Sequence, residues 1–367
     1  MKTQPDIIVI GGGIAGISAA AALAQEARVT VIEAEAQLAY HSTGRSAAIF
    51  VLNYGNATLR GLNAASLPTL NGATTGETVL SPRGELLLAR EDQLDLLDAQ
   101  MKEGNGLERL GPDDALELIP VLRRDQIAAA LLERDAQDID VNRLLQINAR
   151  HLRACGGTVL TGAKVGAITA TADGWRVRAG AHHVSAPILL NAAGAWADHV
   201  AALAGVRPIG LQPMRRSAVI MPVPPEFPEH RNWPMVGSIS EDWYAKPQAP
   251  GLMISPADED PVEAQDIYPD DMVLAEGLDR FSQMVDLPLV RPVHSWAGLR
   301  SFVADRTPVC GFAPDAPGFF WLAGQGGYGV QTSPALGALT AELCLEKSPT
   351  LAPDLVAALS PTRLYPS

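Results

Sequence analysis

Cysteine is scarce in this chain: Cys155, Cys310 and Cys344 are the only three among 367 residues, with no C-x-x-C pair. That excludes a disulfide framework, suits a reducing compartment, and leads us to expect no metal site. Positive charge is also in short supply. The 28 Lys and Arg face 41 Asp and Glu, for a net charge of −13. No basic run tracks a phosphate backbone, which argues against nucleic acid as a partner. Long apolar runs are missing as well. None approaches the ~20 residues of a bilayer span. The N-terminus enters an apolar strand almost at once, leaving no room for a signal peptide, and Leu364-Tyr365-Pro366-Ser367 carries no lipidation signal. A cytoplasmic location is therefore expected, with peripheral membrane contact left open. Repeats and low-complexity tracts are absent too. What remains is an ordinary globular composition, 47% hydrophobic and 19% charged, in a length that suits about two domains.

The most informative stretch runs from Asp6 to Glu35, DIIVIGGGIAGISAAAALAQEARVTVIEAE. Asp6 to Ile10 read as a parallel strand buried on both faces. Gly11, Gly13 and Gly16 then form G-x-G-x-x-G, in which the first glycine allows a tight turn. The second admits a pyrophosphate, and the third lets helix approach strand. A helix follows over Ala15 to Ala24, its N-terminus offering N–H groups to phosphate, so Ile14 and Ala15 join the candidate cofactor contacts. Val29 to Ile32 form the next strand, and Glu33 falls where a carboxylate accepts a ribose hydroxyl. Together these define a dinucleotide-binding unit.

Directly downstream, Tyr40-His41-Ser42-Thr43-Gly44-Arg45-Ser46-Ala47-Ala48 reads as a loop whose N–H groups, Ser42, Thr43 and Arg45 suit a pyrophosphate. Short strands about a turn at Pro82-Arg83-Gly84, with Glu85 opening the second, and helices near 91–101 and 112–119 form an excursion from the nucleotide fold. Asp140 caps a helix that ends at Gly156-Gly157. Ala186 to Ala193 read as another buried strand, closing on Gly194 and Trp196, where small residues let a cofactor approach. From Leu211 to Pro256, strand-like pieces and proline turns suggest an antiparallel sheet. The acid-dense segment Asp258 to Asp271 reads as a solvated loop. Near the end, a strand at Gly318–Ala323, a turn at Gly324–Gly329 and a helix over Ser333–Leu345 formally repeat G-x-G-x-x-G. No strand follows, so the turn aims a helix N-terminus rather than building a second dinucleotide site.

This combination, together with the words Leu211-Gln212-Pro213, Arg215-Arg216-Ser217-Ala218, Trp296 to Asp305 and Gln325 to Gly329, resembles the D-amino-acid oxidase superfamily over essentially the whole chain. Within it the words are most similar to those of the bacterial D-arginine dehydrogenase family. The resemblance implies an α/β fold: a Rossmann-like FAD-binding domain (1–48, 139–205 and 296–367) with an interleaved α+β substrate domain on an antiparallel sheet (49–138 and 206–295). It also implies noncovalent FAD. Its contacts would include Ser46, Ala47, Ala48, Val165, Gly326, Gly327, Tyr328, Gly329, Val330, Gln331 and Thr332. Arg216 and Arg300 would hold a substrate carboxylate, which paired guanidiniums suit. Tyr54 and Tyr244 would line the pocket, and the Gly327 carbonyl would take the amino group. Glu85 and Glu241 are placed like acids that the family sets near a guanidinium, with Ile49 and Met235 shaping specificity. Ile49, Phe50 and Gly237 depart from the family pattern, which makes the pocket less polar or differently shaped.

The implied reaction is hydride transfer from Cα of a D-amino acid, basic if the acids face it, to flavin N5. Water then hydrolyses the imino acid to a 2-oxo acid and ammonia. Electrons would leave to a quinone, a carrier protein or O2. The helix beginning near Thr332 would stabilise charge on the reduced flavin. Three other readings stay open: an oxidase of glycine, sarcosine or another secondary amine; a nicotinamide enzyme; and a noncatalytic nucleotide-binding protein. Sarcosine oxidases tether FAD to a cysteine near the position of Cys310, but the residues around it differ.

Overall fold

A computed structural model describes residues 4–365. Strands Ile7–Ile10, Val29–Ile32 and Ile188–Asn191 pair in parallel with Ile7–Ile10 central. Thr158–Leu160 continues this sheet on one side and Phe319–Ala323 on the other. Val309–Phe312 closes the six-stranded sheet as its antiparallel edge. Strand Ile7–Ile10 is apolar throughout, and its two neighbours are so except for Thr30 and Asn191, because both faces are covered. On one face helix Ile14–Leu23 packs beside helix Gly329–Cys344, so closely that a Cβ on Gly337 would meet the Ser18 backbone at 3.1 Å. On the other lies a three-stranded meander, Val165–Thr171, Gly174–Ala179 and His182–Ala186.

The second large sheet has nine strands. Its backbone is the antiparallel pair Gln212–Met221 and His294–Phe302, registered from Gln212 against Phe302 to Ile220 against His294. Helix Asp271–Met284 covers this sheet, with Phe281 fully buried edge-on to Trp243 at 5.6 Å. Burying a large apolar side chain of this kind stabilises by roughly 1.5–3 kcal/mol. The sheet is not wholly antiparallel, since Met235–Ser238 runs parallel to Glu85–Ala89.

Three local expectations need correction. Leu80–Pro82 and Glu85–Ala89 do flank a turn, but they enter different sheets: the first pairs with Gln137–Ile139 and the second with Ala129–Glu133. The acid-dense segment is irregular yet not merely solvated. Asp258 is buried and accepts Ser217 N at 2.6 Å, Ser217 Oγ at 2.8 Å and Arg215 Nε at 3.3 Å, while Asp266 binds Arg45 at 2.5 Å. The C-terminal helix starts at Gly329, four residues before Ser333. Pro334, a residue type that favours the first turn, falls inside this helix. Here it sits deeper, and Ser333 Oγ donates to Val330 O at 2.9 Å, taking the carbonyl that the missing proline N–H leaves free. No helix among the described residues is long and apolar enough to cross a membrane.

Candidate active site

A cavity of about 680 Å³ runs along the C-terminal edge of the parallel sheet. At one end the glycine turn is shaped by necessity: Gly11 has φ +111°, and a Cβ there would meet Ala192 O at 2.2 Å. Gly13, Ile14 and Ala15 face the cavity, whereas Gly16 packs against the Gly11 carbonyl and lets the helix close on the strand. Helix geometry leaves the Ala15 and Gly16 N–H groups without intrahelical acceptors. Ile14 N donates to Thr43 Oγ1 at 3.1 Å. Glu33 lines the cavity with its carboxylate aligned by two backbone donors, Gly12 N at 2.5 Å and Glu35 N at 2.8 Å.

The middle of the cavity is walled by Ser42, Arg45, Ser46 and Ala47 on one side and Val165, Gly194 and Trp196 on the other. Ser42 Oγ donates to Leu299 O at 2.7 Å. Arg45 is already occupied: it donates to Ala297 O at 2.9 Å, Ile267 O at 3.2 Å and the Asp266 carboxylate. Any role toward a pyrophosphate is therefore muted by a built-in counter-ion. The far end is closed by Gly326, Gly327, Gly329 and Val330. Here Ser301 Oγ and Gln325 Nε2, both in the cavity wall, are buried without a hydrogen-bond partner among the described residues. Buried polar atoms are rarely left so. Orphaned donors in a long cleft beside a glycine turn are what a polar, extended dinucleotide would satisfy.

A second cavity of about 300 Å³ adjoins the first, and Ser46, Ala47, Arg216, Tyr244, Arg300, Gly327 and Val330 line both. Arg216 and Arg300 reach this junction from the two paired strands of the large sheet, where Arg300 sits opposite Met214, two residues from Arg216. They are thus diagonal neighbours on one face. Arg300 Nη1 donates to Tyr54 Oη at 3.4 Å, and among the described residues it meets no carboxylate. Burial works against its charge, but the neighbouring phenols Tyr54 and Tyr244 outweigh that and raise its pKa. Arg216 differs, since its Nε donates to Asp258 O at 2.8 Å and Nη2 to Glu259 at 2.9 Å. Burial raises the Tyr54 phenol, while Tyr244 ends below its usual value because the charges of Arg300 and Arg216 exceed its desolvation.

The opposite wall of the smaller cavity holds Ile49, Glu85, Met235, Gly237 and Glu241. Among the described residues the Glu85 carboxylate accepts no hydrogen bond, and its pKa is pushed up to about 8, first by withdrawal from water and then by Glu133 and Glu241. Glu133, absent from the sequence reading, stands in register opposite Glu85 and lines the same cavity. Its carboxylate accepts Leu52 N at 2.6 Å and Asn53 Nδ2 at 2.7 Å, and burial raises its pKa. The only signal that could have found it was an acid ending the apolar run Ala129–Glu133. Ser301 and Gln325 were missed likewise.

Several sequence candidates lie elsewhere. Ala48, with φ +55°, and Gln331 face the smaller cavity rather than the larger. Gln331 is spent on Val51 N and Asn63. Tyr328 lines neither cavity and packs its ring 4.7 Å from Tyr54. Thr332 is fully buried within the first helical turn, donating to Tyr328 O at 2.9 Å, so the helix terminus facing the junction is Gly329 to Gln331. Cys310 is buried beside Thr340, away from both cavities, and burial pushes its thiol up to about 12.

A parallel sheet with a dinucleotide-sized cleft at its C-terminal edge, opening into a smaller charged pocket, suits a nucleotide-cofactor enzyme. The chain belongs to the family of FAD-dependent oxidoreductases, whose model matches residues 6–343. FAD is therefore its cofactor. Among characterised relatives, it is 25% identical to FAD-dependent oxidoreductase domain-containing protein 1 of Bos taurus, over 94% of this chain and 82% of that protein. Its fold is similar to L-proline dehydrogenase from P. horikoshii, with TM-score 0.84 at 24% identity over 99% and 98% of the two chains. It is also similar to glycine oxidase from Geobacillus kaustophilus, with TM-score 0.83 at 22% identity over 98% and 99%.

Proposed function

We propose that this protein oxidises a D-amino acid with a cationic side chain at Cα, giving the imino acid that water converts to 2-oxo acid and ammonia. The observation that carries the reading is Arg300: a guanidinium in the wall shared by both cavities, without a carboxylate of its own. In this reading segments 1–48, 139–205 and 296–367 hold the cofactor, and 49–138 with 206–295 build the substrate pocket. Bound FAD supplies the hydride acceptor. Arg300 and the Tyr54 hydroxyl grip the substrate carboxylate, and Tyr244, backed by Arg216, completes that end. The Gly327 carbonyl takes the amino group. Glu85 and Glu241, now joined by Glu133, face the distal side chain with negative charge, while Ile49 and Met235 pack its methylene stem. The N–H groups of Gly329 to Gln331 would face the bound cofactor and favour negative charge there.

Besides adding Glu133 and moving the helix terminus to Gly329–Gln331, this reading differs from the sequence expectation at Arg216, which acts through Tyr244 rather than as a free second clamp, because Asp258 and Glu259 already occupy it. A pocket of about 300 Å³ also exceeds what glycine fills, favouring a long side chain. The test is anaerobic bleaching of the FAD-loaded protein by a panel of D- and L-amino acids, glycine and sarcosine. Fastest reduction by D-arginine or D-lysine is expected. Reduction only by L-isomers or simple amines would overturn the proposal.

A further inference from the structure

Arg216 and Arg300 share one sheet face and one cavity junction, yet their electrostatic situations differ. Strand Gly251–Ser255 ends at Pro256, and Ala257, with φ +53°, turns the chain so that Asp258 and Glu259 reach back to Arg215 and Arg216. Glu259 Oε1 accepts Arg216 Nη2 at 2.9 Å. The same carboxylate is held from outside by Arg306 Nη2, at 2.9 Å to Oε1 and 3.0 Å to Oε2. Arg306 is itself fixed, its guanidinium lying 3.8 Å over the Phe302 ring. The Phe302 ring fills the space beside Gly326, where a Cβ would meet it at 2.1 Å. Glu259 is thus clasped between two guanidiniums, one of them facing the substrate junction.

Of the two guanidiniums at the junction, Arg216 has a carboxylate partner, which it shares with Arg306, whereas Arg300 has none among the described residues. We propose that Glu259 is a built-in carboxylate that fills Arg216 and so restricts the reacting end of the pocket to substrates bearing one carboxylate. A second substrate carboxylate reaching toward Arg216 meets a guanidinium whose Nε and Nη2 are taken, and a negative charge behind it. Displacing Glu259 would also forfeit its bond to Arg306. Glu259 touches neither cavity, so it acts through Arg216 as a positioning residue. The inference rests on the reading of Arg300 as the carboxylate clamp.

The test uses the FAD-loaded full chain, with acetate and malonate as unreactive probes followed through the flavin absorbance. Diagonal strand neighbours lie roughly 7–8 Å apart, within reach of two carboxylates on one carbon. In the wild type malonate should bind no tighter than acetate. Glu259→Gln, which keeps size and removes charge, should raise the malonate-to-acetate affinity ratio about tenfold, as charge complementarity decides between partners. Glu259→Asp should restore the wild-type ratio, and retained flavin reports folding in both variants. A ratio unchanged within about twofold in Glu259→Gln, or equal rises in both variants, would overturn the role of Glu259. Arg300→Gln separates the two claims: acetate affinity that survives it would overturn the clamp reading itself.

Discussion

The acid wall makes a pH prediction that distinguishes a charged side-chain pocket from one of mere shape. Glu85 stands opposite Glu133 in a cavity wall and has no hydrogen-bond donor, so its pKa is pushed up to about 8 by desolvation and by the charges of Glu133 and Glu241. A raised carboxyl pKa means the group is protonated below about 8 and ionised above it. At pH 7 roughly one molecule in ten carries the ionised form, since each pH unit is a factor of ten. A cationic head that requires ionised Glu85 therefore binds about tenfold more weakly at pH 7 than at the high-pH plateau, about 1.4 kcal/mol. The assay is anaerobic flavin reduction between pH 5.5 and 9 with D-lysine and with D-norleucine, which matches its length without the charge. The substrate amine and the carboxylate clamp titrate alike for both, so the ratio of their apparent affinities isolates Glu85. That ratio should climb about tenfold per unit from pH 6 to 7 and level off above 8. Binding of D-lysine at pH 7 should also release close to one proton, visible by calorimetry in buffers of different ionisation enthalpy. Glu85→Gln should flatten the ratio. A wild-type ratio constant across the range, or one that climbs equally in Glu85→Gln, would refute the reasoning.

Two further outcomes are expected. Gly11→Ala should abolish FAD retention, because its Cβ would meet Ala192 O at 2.2 Å and the backbone lies at positive φ; a normal flavin-to-protein absorbance ratio after purification would contradict this. Acid precipitation should leave the yellow colour in the supernatant, since Cys310 is buried away from both cavities and its thiol pKa is pushed up to about 12; colour in the pellet would reveal a tether.

Legibility in the sequence followed the range of the interaction. The unit from Ile7 to Ile32 was readable because strand, turn and helix are set by neighbours: buried β-branched runs, and a glycine at φ +111° that other residues avoid. The cap of Asp140 on helix Val141–Ala154 was local too. The C-terminal helix was read from Ser333 although it begins at Gly329, and the Ser333 hydroxyl that lets Pro334 sit inside it has no sequence motif. Composition misled at Asp258–Asp271, where acids suggested water. Their partners Arg45, Arg215 and Arg216 lie far away in sequence, and only the folded sheet brings them close. Glu133 was invisible for the same reason, being defined by its register with Glu85. Arg216 and Arg300 entered through family words, and the structure adds that one is paired and the other is not.

The long ladder between Gln212–Met221 and His294–Phe302 suggests how specificity could drift in this protein. A slip of one residue in either strand would turn its arginine to the opposite face, so the spacing of the pair is as inflexible as the strand pairing itself. Glu85 and Met235 hang instead on a separate, parallel pair of strands, set apart from the ladder by two intervening strands. Exchanging side chains there leaves the ladder untouched. If the proposed function holds, the molecule is in effect a fixed socket with a replaceable faceplate, and engineering toward neutral or acidic side chains should begin at positions 49, 85, 133 and 235 while the ladder is left alone.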